Sequence, residues 1–171
     1  MGKNLTLTGM MGVGKSTIGK ILAKKLEYKF VDVDRLIEKK EGLSINSIFK
    51  SKGESYFRKI EKEITMTELN RSNAVISLGG GAFLDDVIRK SSKKLTVSFW
   101  LDVPINDLIK RLTISKQRPL LFKQITNETV KKIFFSRKKI YSMADYRIKC
   151  KSLKPGEIVN KILSLYEKSG N

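Results

Sequence analysis

The stretch Gly9-Met10-Met11-Gly12-Val13-Gly14-Lys15-Ser16 constrains this chain more than any other, because it fits G-x-x-x-x-G-K-[ST] and follows the apolar run Leu5-Thr6-Leu7-Thr8. A true motif of this kind sits between a strand and a helix. The run Ser16 to Leu26 supplies the helix, with Ile18, Ile21, Leu22 and Leu26 at helical spacing. Glycines let the backbone turn tightly and point its N–H groups inward at an anion, which the positive end of the following helix also favours. Gly12, Val13, Gly14, Lys15, Ser16 and Thr17 therefore read as a phosphate-binding loop, in which Lys15 reaches the β- and γ-phosphates of ATP and Ser16 holds Mg2+. The alternative is a glycine-rich turn that happens to contain Lys-Ser, and it does not account for both flanks.

The 171 residues suit a single domain spanning 1–171, and 40% hydrophobic with 30% charged residues is the composition of a globular protein. No apolar run approaches the ~20 residues that span a bilayer, so no membrane partner is expected. Met1-Gly2-Lys3-Asn4 enters the first strand directly, leaving no room for a signal peptide, and a cytoplasmic location is expected. The one cysteine, Cys150, excludes an internal disulfide and reads as an inert strand residue. There is no histidine, which removes Ser-His-Asp triads, His-Glu-x-x-His zinc sites and imidazole bases, so acid/base work falls to carboxylates, lysines or water. Lys plus Arg number 35 against 17 Asp plus Glu, a net charge of +18. Such a balance raises nucleic acid as a partner, but the lysines are scattered along every segment rather than gathered in a stripe with stacking aromatics. They read as solvated faces, and no specific nucleic acid is expected.

The pattern along the chain is β-α throughout. Lys29 to Asp34 reads as a strand, whose period of two sends Asp32 and Asp34 to one face at its carboxyl end, and Arg35 to Lys40 as a helix; Asp34 is equally suited to cap that helix. Ser44 to Phe49 reads as a short capped helix and Gly53 to Ile64 as another, with Phe57, Ile60 and Ile64 as its buried stripe. Arg58 and Glu61 lie beside that stripe at i, i+3, as a surface ion pair would. Asn73 to Leu78 is a buried strand that ends in Gly79-Gly80-Gly81, either a sharp turn or bare N–H groups open to a ligand's oxygens. Leu84 to Lys93 reads as helix, the uniformly apolar Leu95 to Leu101 as a central parallel strand, and Pro104 as the first position of the helix Ile105 to Leu112. Thr113 to Lys123 lacks periodicity and reads as a lid, where Arg118 is a solvated loop residue or a phosphate clamp. Between Thr126 and Met143 the apolar stripe Val130, Ile133, Phe134, Ile140, Tyr141 and Ala144 contains Arg137, which needs an anionic partner, from the protein or from a bound substrate. Asp145 to Cys150 is the last strand, and Pro155 opens a terminal amphipathic helix.

Taken in order, Asp32-x-Asp34, Gly53-Glu54-x-x-Phe57-Arg58-x-x-Glu61, Gly79-Gly80-Gly81, Arg118-Pro119-Leu120-Leu121 and Arg137-x-x-x-Tyr141 resemble shikimate kinase over nearly the whole chain. That resemblance implies a three-layer α/β/α fold with a five-stranded parallel sheet, a P-loop NTPase architecture with a mobile lid at about 113–124, and a monomer. It implies transfer of the γ-phosphoryl group of ATP to the 3-hydroxyl of shikimate. Asp34 would orient the hydroxyls, Arg58 and Arg137 would clamp the carboxylate, and the N–H groups of Gly79, Gly80 and Gly81 would contact substrate oxygens. Ser16 would ligate Mg2+ directly and Asp32 through water, Arg118 would swing onto the transferring phosphate, and Arg111 and Pro155 would flank adenine. The rivals are a kinase of the same fold acting on another hydroxy acid such as gluconate, a nucleic-acid-associated protein using ATP as a switch, and a catalytically silent relative kept for binding.

Overall fold

Apolar strands alternating with amphipathic helices fold here into one five-stranded sheet, seen in a computed structural model that describes residues 2–114 and 126–170. The strands are β1 (Asn4–Thr8), β2 (Lys29–Asp32), β3 (Ala74–Ser77), β4 (Thr96–Asp102) and β5 (Tyr146–Lys149). All pair in parallel, in the order β2-β3-β1-β4-β5. Among the described residues the helices are α1 (Lys15–Leu26), α2 (Val33–Glu41), α3 (Ile45–Leu69), α4 (Asp86–Leu95), α5 (Ile105–Ile114), α6 (Asn127–Tyr141) and α7 (Pro155–Lys168). Helix α1 packs on α7, while α2, α3 and α4 pack successively on one another, giving the three α/β/α layers. No described helix is long and apolar enough to cross a membrane.

Burial follows position in the sheet. Every residue of β1 and β3 is buried, as is all of β4 but Asp102, whereas the edge strands β2 and β5 carry the exposed Lys29 and Lys149. Covered on both faces, the inner strands expose no charged or long polar side chain before Asp102 at the end of β4, and the Thr and Ser they do carry are small and buried, as with the Thr6 and Thr96 hydroxyls that bond each other at 2.7 Å; lysines on the edges discourage a further strand from adding. Asn4 is the largest of the buried polar side chains on these strands, and it is fully bonded: its Oδ1 accepts the Ala74 N–H at 2.9 Å, and its Nδ2 donates to the carbonyls of Leu69 and Arg71. The start of the central strand is thereby tied to the passage from α3 into β3.

Several local expectations change. The strand expected through Asp34 stops at Asp32, because the Asp32 carboxylate accepts the Arg35 N–H at 3.4 Å and starts α2 at Val33. Asp32 is therefore the cap, Asp34 lies in the first helical turn, and the two do not share a strand face. The two short helices expected between Ser44 and Ile64 run together as α3, with Ser44 as N-cap and a break at Gly53 (φ 81°, ψ 170°). Pro104 stands one residue before α5 and gives its carbonyl to the Leu108 N–H, so it caps the helix rather than opening it. Pro155 does occupy the first turn of α7.

The approach of α1 to β2 depends on Gly19. A Cβ there would come within 2.4 Å of Phe30 Cε2 and 3.3 Å of Leu7 Cδ1. Overpacking of this kind costs about 1–3 kcal/mol. Gly19→Ala is expected to lower unfolding free energy by that amount in urea denaturation, and a variant as stable as the parent would show that α1 is free to shift.

Candidate phosphoryl-transfer site

The loop between β1 and α1 has the backbone its glycines require. Gly9 has φ 134°, and a Cβ there would come within 2.9 Å of the Leu101 carbonyl oxygen; Gly12 has φ 78°, and one there would come within 2.5 Å of Leu112 Cδ2. Gly14 is the N-cap of α1. Lys15 is only 8% exposed, and its ammonium donates to the carbonyls of Gly9 and Met10 at 2.9 Å each, which holds its charge inside the loop. Ser16 Oγ donates to Asp32 Oδ2 at 2.6 Å, so the phosphate loop and the end of β2 meet through two oxygen donors. Thr17 faces solvent, and Arg111 Nη1 donates to the Val13 carbonyl at 3.4 Å. Pro155 is exposed at the start of α7. Arg118 lies outside the described residues.

A second group of charges gathers beside the triple glycine. None of Gly79, Gly80 and Gly81 has a positive φ, so it is space rather than backbone freedom that requires them. A Cβ on Gly79 would come within 2.5 Å of Glu61 Oε1 and 2.7 Å of Asp34 Oδ1, and one on Gly81 within 2.4 Å of Arg58 Nη1. At Gly80 it would lie 3.3 Å from the amide nitrogen of Met11, which places the segment directly against the phosphate loop. The Gly80 carbonyl accepts Arg137 Nη1 at 3.2 Å and also the hydroxyl of Tyr141. Asp34, Arg58 and Arg137, distant in sequence, thus converge on three bare residues.

Glu61 is the residue that local spacing placed wrongly. It is not half of a surface ion pair: it is 2% exposed, and its Oε2 accepts Arg58 Nη1 at 2.6 Å. Burial pushes its carboxyl above the ordinary glutamate value, Arg58 opposes that rise, Asp34 adds to it and Arg137 opposes it. A protein carboxylate, one of the two anionic partners left open for Arg137, therefore lies near it, although Arg137's bonded partner is the Gly80 carbonyl. Tyr141 was legible as a buried stripe residue and as part of the Arg137-x-x-x-Tyr141 motif; it is 1% exposed, stacks 6.2 Å from Trp100, and its phenol is pushed up by burial. Neither signal said that its hydroxyl would donate to the Gly80 carbonyl. Cys150 is buried just beyond β5, with its thiol pushed up to about 11 chiefly by burial, in keeping with an inert residue.

A phosphate loop following the central strand of a parallel sheet, with carboxylates and arginines gathered next to it, is the arrangement of a P-loop kinase. A family model described as shikimate kinase matches residues 11–167. The shikimate kinase of Persephonella marina is 45% identical over 161 residues, 94% of this chain and 97% of that protein. Among solved structures, shikimate kinase from Acinetobacter baumannii in complex with shikimate superposes with a TM-score of 0.92 at 30% identity, covering 99% of this chain and 95% of that one. The structure of shikimate kinase from Aquifex aeolicus gives 0.83 at 36% identity, with 98% of each chain covered. The chain belongs to the shikimate kinase family.

The Glu61 environment has a pH signature. A carboxyl raised in the folded state contributes stability that is fully present below its unfolded pKa and lost as pH rises through the raised value. The stability difference between parent and Glu61→Gln is accordingly expected to fall with pH across the window from the ordinary glutamate value to the raised one, and to level off above it. Urea denaturation at a series of pH values reads this directly, and a difference independent of pH would contradict the raised pKa.

Proposed function

We propose that the protein transfers the γ-phosphoryl group of ATP to the 3-hydroxyl of shikimate, giving shikimate 3-phosphate and ADP, a step of chorismate and aromatic amino-acid biosynthesis. The observation that carries this reading is the convergence of Arg58, Arg137 and Asp34 on Gly79 to Gly81, hard against the phosphate loop at Met11. It offers two guanidinium groups to a carboxylate and one carboxylate to hydroxyls, beside the loop that takes the nucleotide. Family membership and the solved complex of the Acinetobacter enzyme with shikimate support the same substrate.

In this reading Arg58 and Arg137 hold the acid by charge-assisted hydrogen bonds and fix the ring. Asp34 accepts the hydrogen bond of the attacking hydroxyl and keeps its oxygen in line; phosphoryl transfer has a loose transition state, so this positioning outweighs basicity. The N–H groups of Gly79 to Gly81 contact substrate oxygens. Lys15 turns its ammonium onto the β- and γ-phosphates, and Arg118 completes the charge clamp. Arg111, beside Val13, and Pro155 flank the adenine. The hydroxyl of Ser16 and the carboxylate of Asp32, 2.6 Å apart, are hard oxygen donors suited to Mg2+, Ser16 directly and Asp32 through water. Bound there, the metal supplies neutralising charge to the phosphates. The protein works as one domain, 1–171, with 113–124 as its lid, as a cytoplasmic monomer.

ADP release from ATP and Mg2+, with and without shikimate, tests the reaction. Shikimate-dependent turnover is expected in the parent, with Asp34→Asn slower by on the order of a hundredfold or more; gluconate in place of shikimate should give none. A folded, ATP-binding parent that shikimate does not stimulate would sink the proposal. Arg137→Ala should raise the shikimate KM at least about tenfold, the scale of one charged hydrogen bond, and leave the ATP KM nearly unchanged. Equal effects on both would remove the clamp role.

A further inference from the structure

We propose that Glu54 is a stand-in carboxylate, occupying the edge of Arg58 that an incoming substrate carboxylate takes, so that binding exchanges one carboxylate for another. This rests on the assignment of Arg58 as a carboxylate clamp. Arg58 presents five N–H donors in a rigid fork. Nη1 donates to Glu61 Oε2 at 2.6 Å. Nε and Nη2 both donate to the same oxygen of Glu54, Oε1, at 3.2 Å. The Nη1/Nη2 end faces Gly81, where an added Cβ would lie 2.4 Å and 2.7 Å from the two nitrogens. The Nε/Nη2 edge is the remaining place for paired, side-on contact with a carboxylate, and Glu54 fills it.

The two acids on Arg58 are unlike. The Glu61 side chain is 3% exposed and makes the shorter bond, so it stays with the guanidinium. The Glu54 side chain is 67% exposed and shares one oxygen over two longer bonds. An exposed i, i+4 pair of this kind is weak, and the released carboxylate is solvated at once. The break at Gly53 makes Glu54 the first residue of the second segment of α3, where a carboxylate is favoured by the helix's positive end and swings out without disturbing a packed turn. Glu54 thus keeps the fork oriented and imposes a threshold: an acid that touches Arg58 alone gains little over Glu54, whereas one held also by Arg137 displaces it.

Calorimetric titration of shikimate into the full chain and into Glu54→Gln and Glu54→Ala, with Mg2+ and ADP present, tests this. Both variants are expected to bind shikimate about two- to fivefold more tightly, the range of an exposed ion pair, with ADP affinity unchanged. The gain should vanish with methyl shikimate, whose ester carries no anion; helix stability alone would not separate acid from ester. Equal or weaker shikimate binding by the variants, or an equal gain with the ester, overturns the role of Glu54 and leaves the kinase reaction standing. A parent that binds no shikimate overturns the clamp and this proposal together.

Discussion

The buried carboxylate of Glu61 organises the cluster of charges around the triple glycine. A charged group at 2% exposure persists only with partners, and breaking such a pair is costly because the remaining charge stays buried. Arg58 provides the short bond, and Arg137 provides a second positive charge. Asp34 works against it. The balance holds because Gly79 and Gly81 have no side chains, so that Glu61, Asp34 and Arg58 lie directly on the end of β3. The triple glycine is thus explained by the charges it admits, and an alanine at either end would displace a carboxylate pair or a guanidinium.

The two halves of the site are joined through backbone as much as through side chains. Gly80 lies against the Met11 amide and gives its carbonyl to Arg137 and Tyr141, so α6 grips the segment that faces the phosphate loop. On the other side, Ser16 and Asp32 connect the loop to the start of α2, which carries Asp34 only two residues further on. A shift of α2 relative to the phosphate loop would move Asp34 and the oxygen pair together. The surrounding positive charge is of another kind: the described lysines are mostly exposed, a field that raises encounter with anions.

Much of this was legible in the chain because it depends on local rules. Gly9 to Ser16 announced the phosphate loop through spacing and flanks, and the mostly apolar run ending at Leu101, with no charge in it, announced an inner parallel strand. Arg137 was conspicuous as a cation in an apolar stripe, and its need for compensation followed from burial alone. Glu61 was the opposite case: at i, i+3 from an arginine it is indistinguishable from a surface pair until the depth of α3 beneath the triple glycine is known. Asp32 and Asp34 show the same limit at shorter range, since a single capping hydrogen bond decided that the strand stops and the two carboxylates part.

Sequence by itself determined the order of strands and helices, the phosphate loop and the residue types available for chemistry, because periodicity, glycine spacing and the absence of histidine are properties of the chain. Tertiary structure alone decided which charges are buried and which face one another. Residues 34, 58, 61, 79–81 and 137 meet only after parallel pairing brings β3 beside β1 and lays α2, α3 and α6 around its end. Electrostatic partnership depends on distance and desolvation, and neither quantity exists until the sheet has formed.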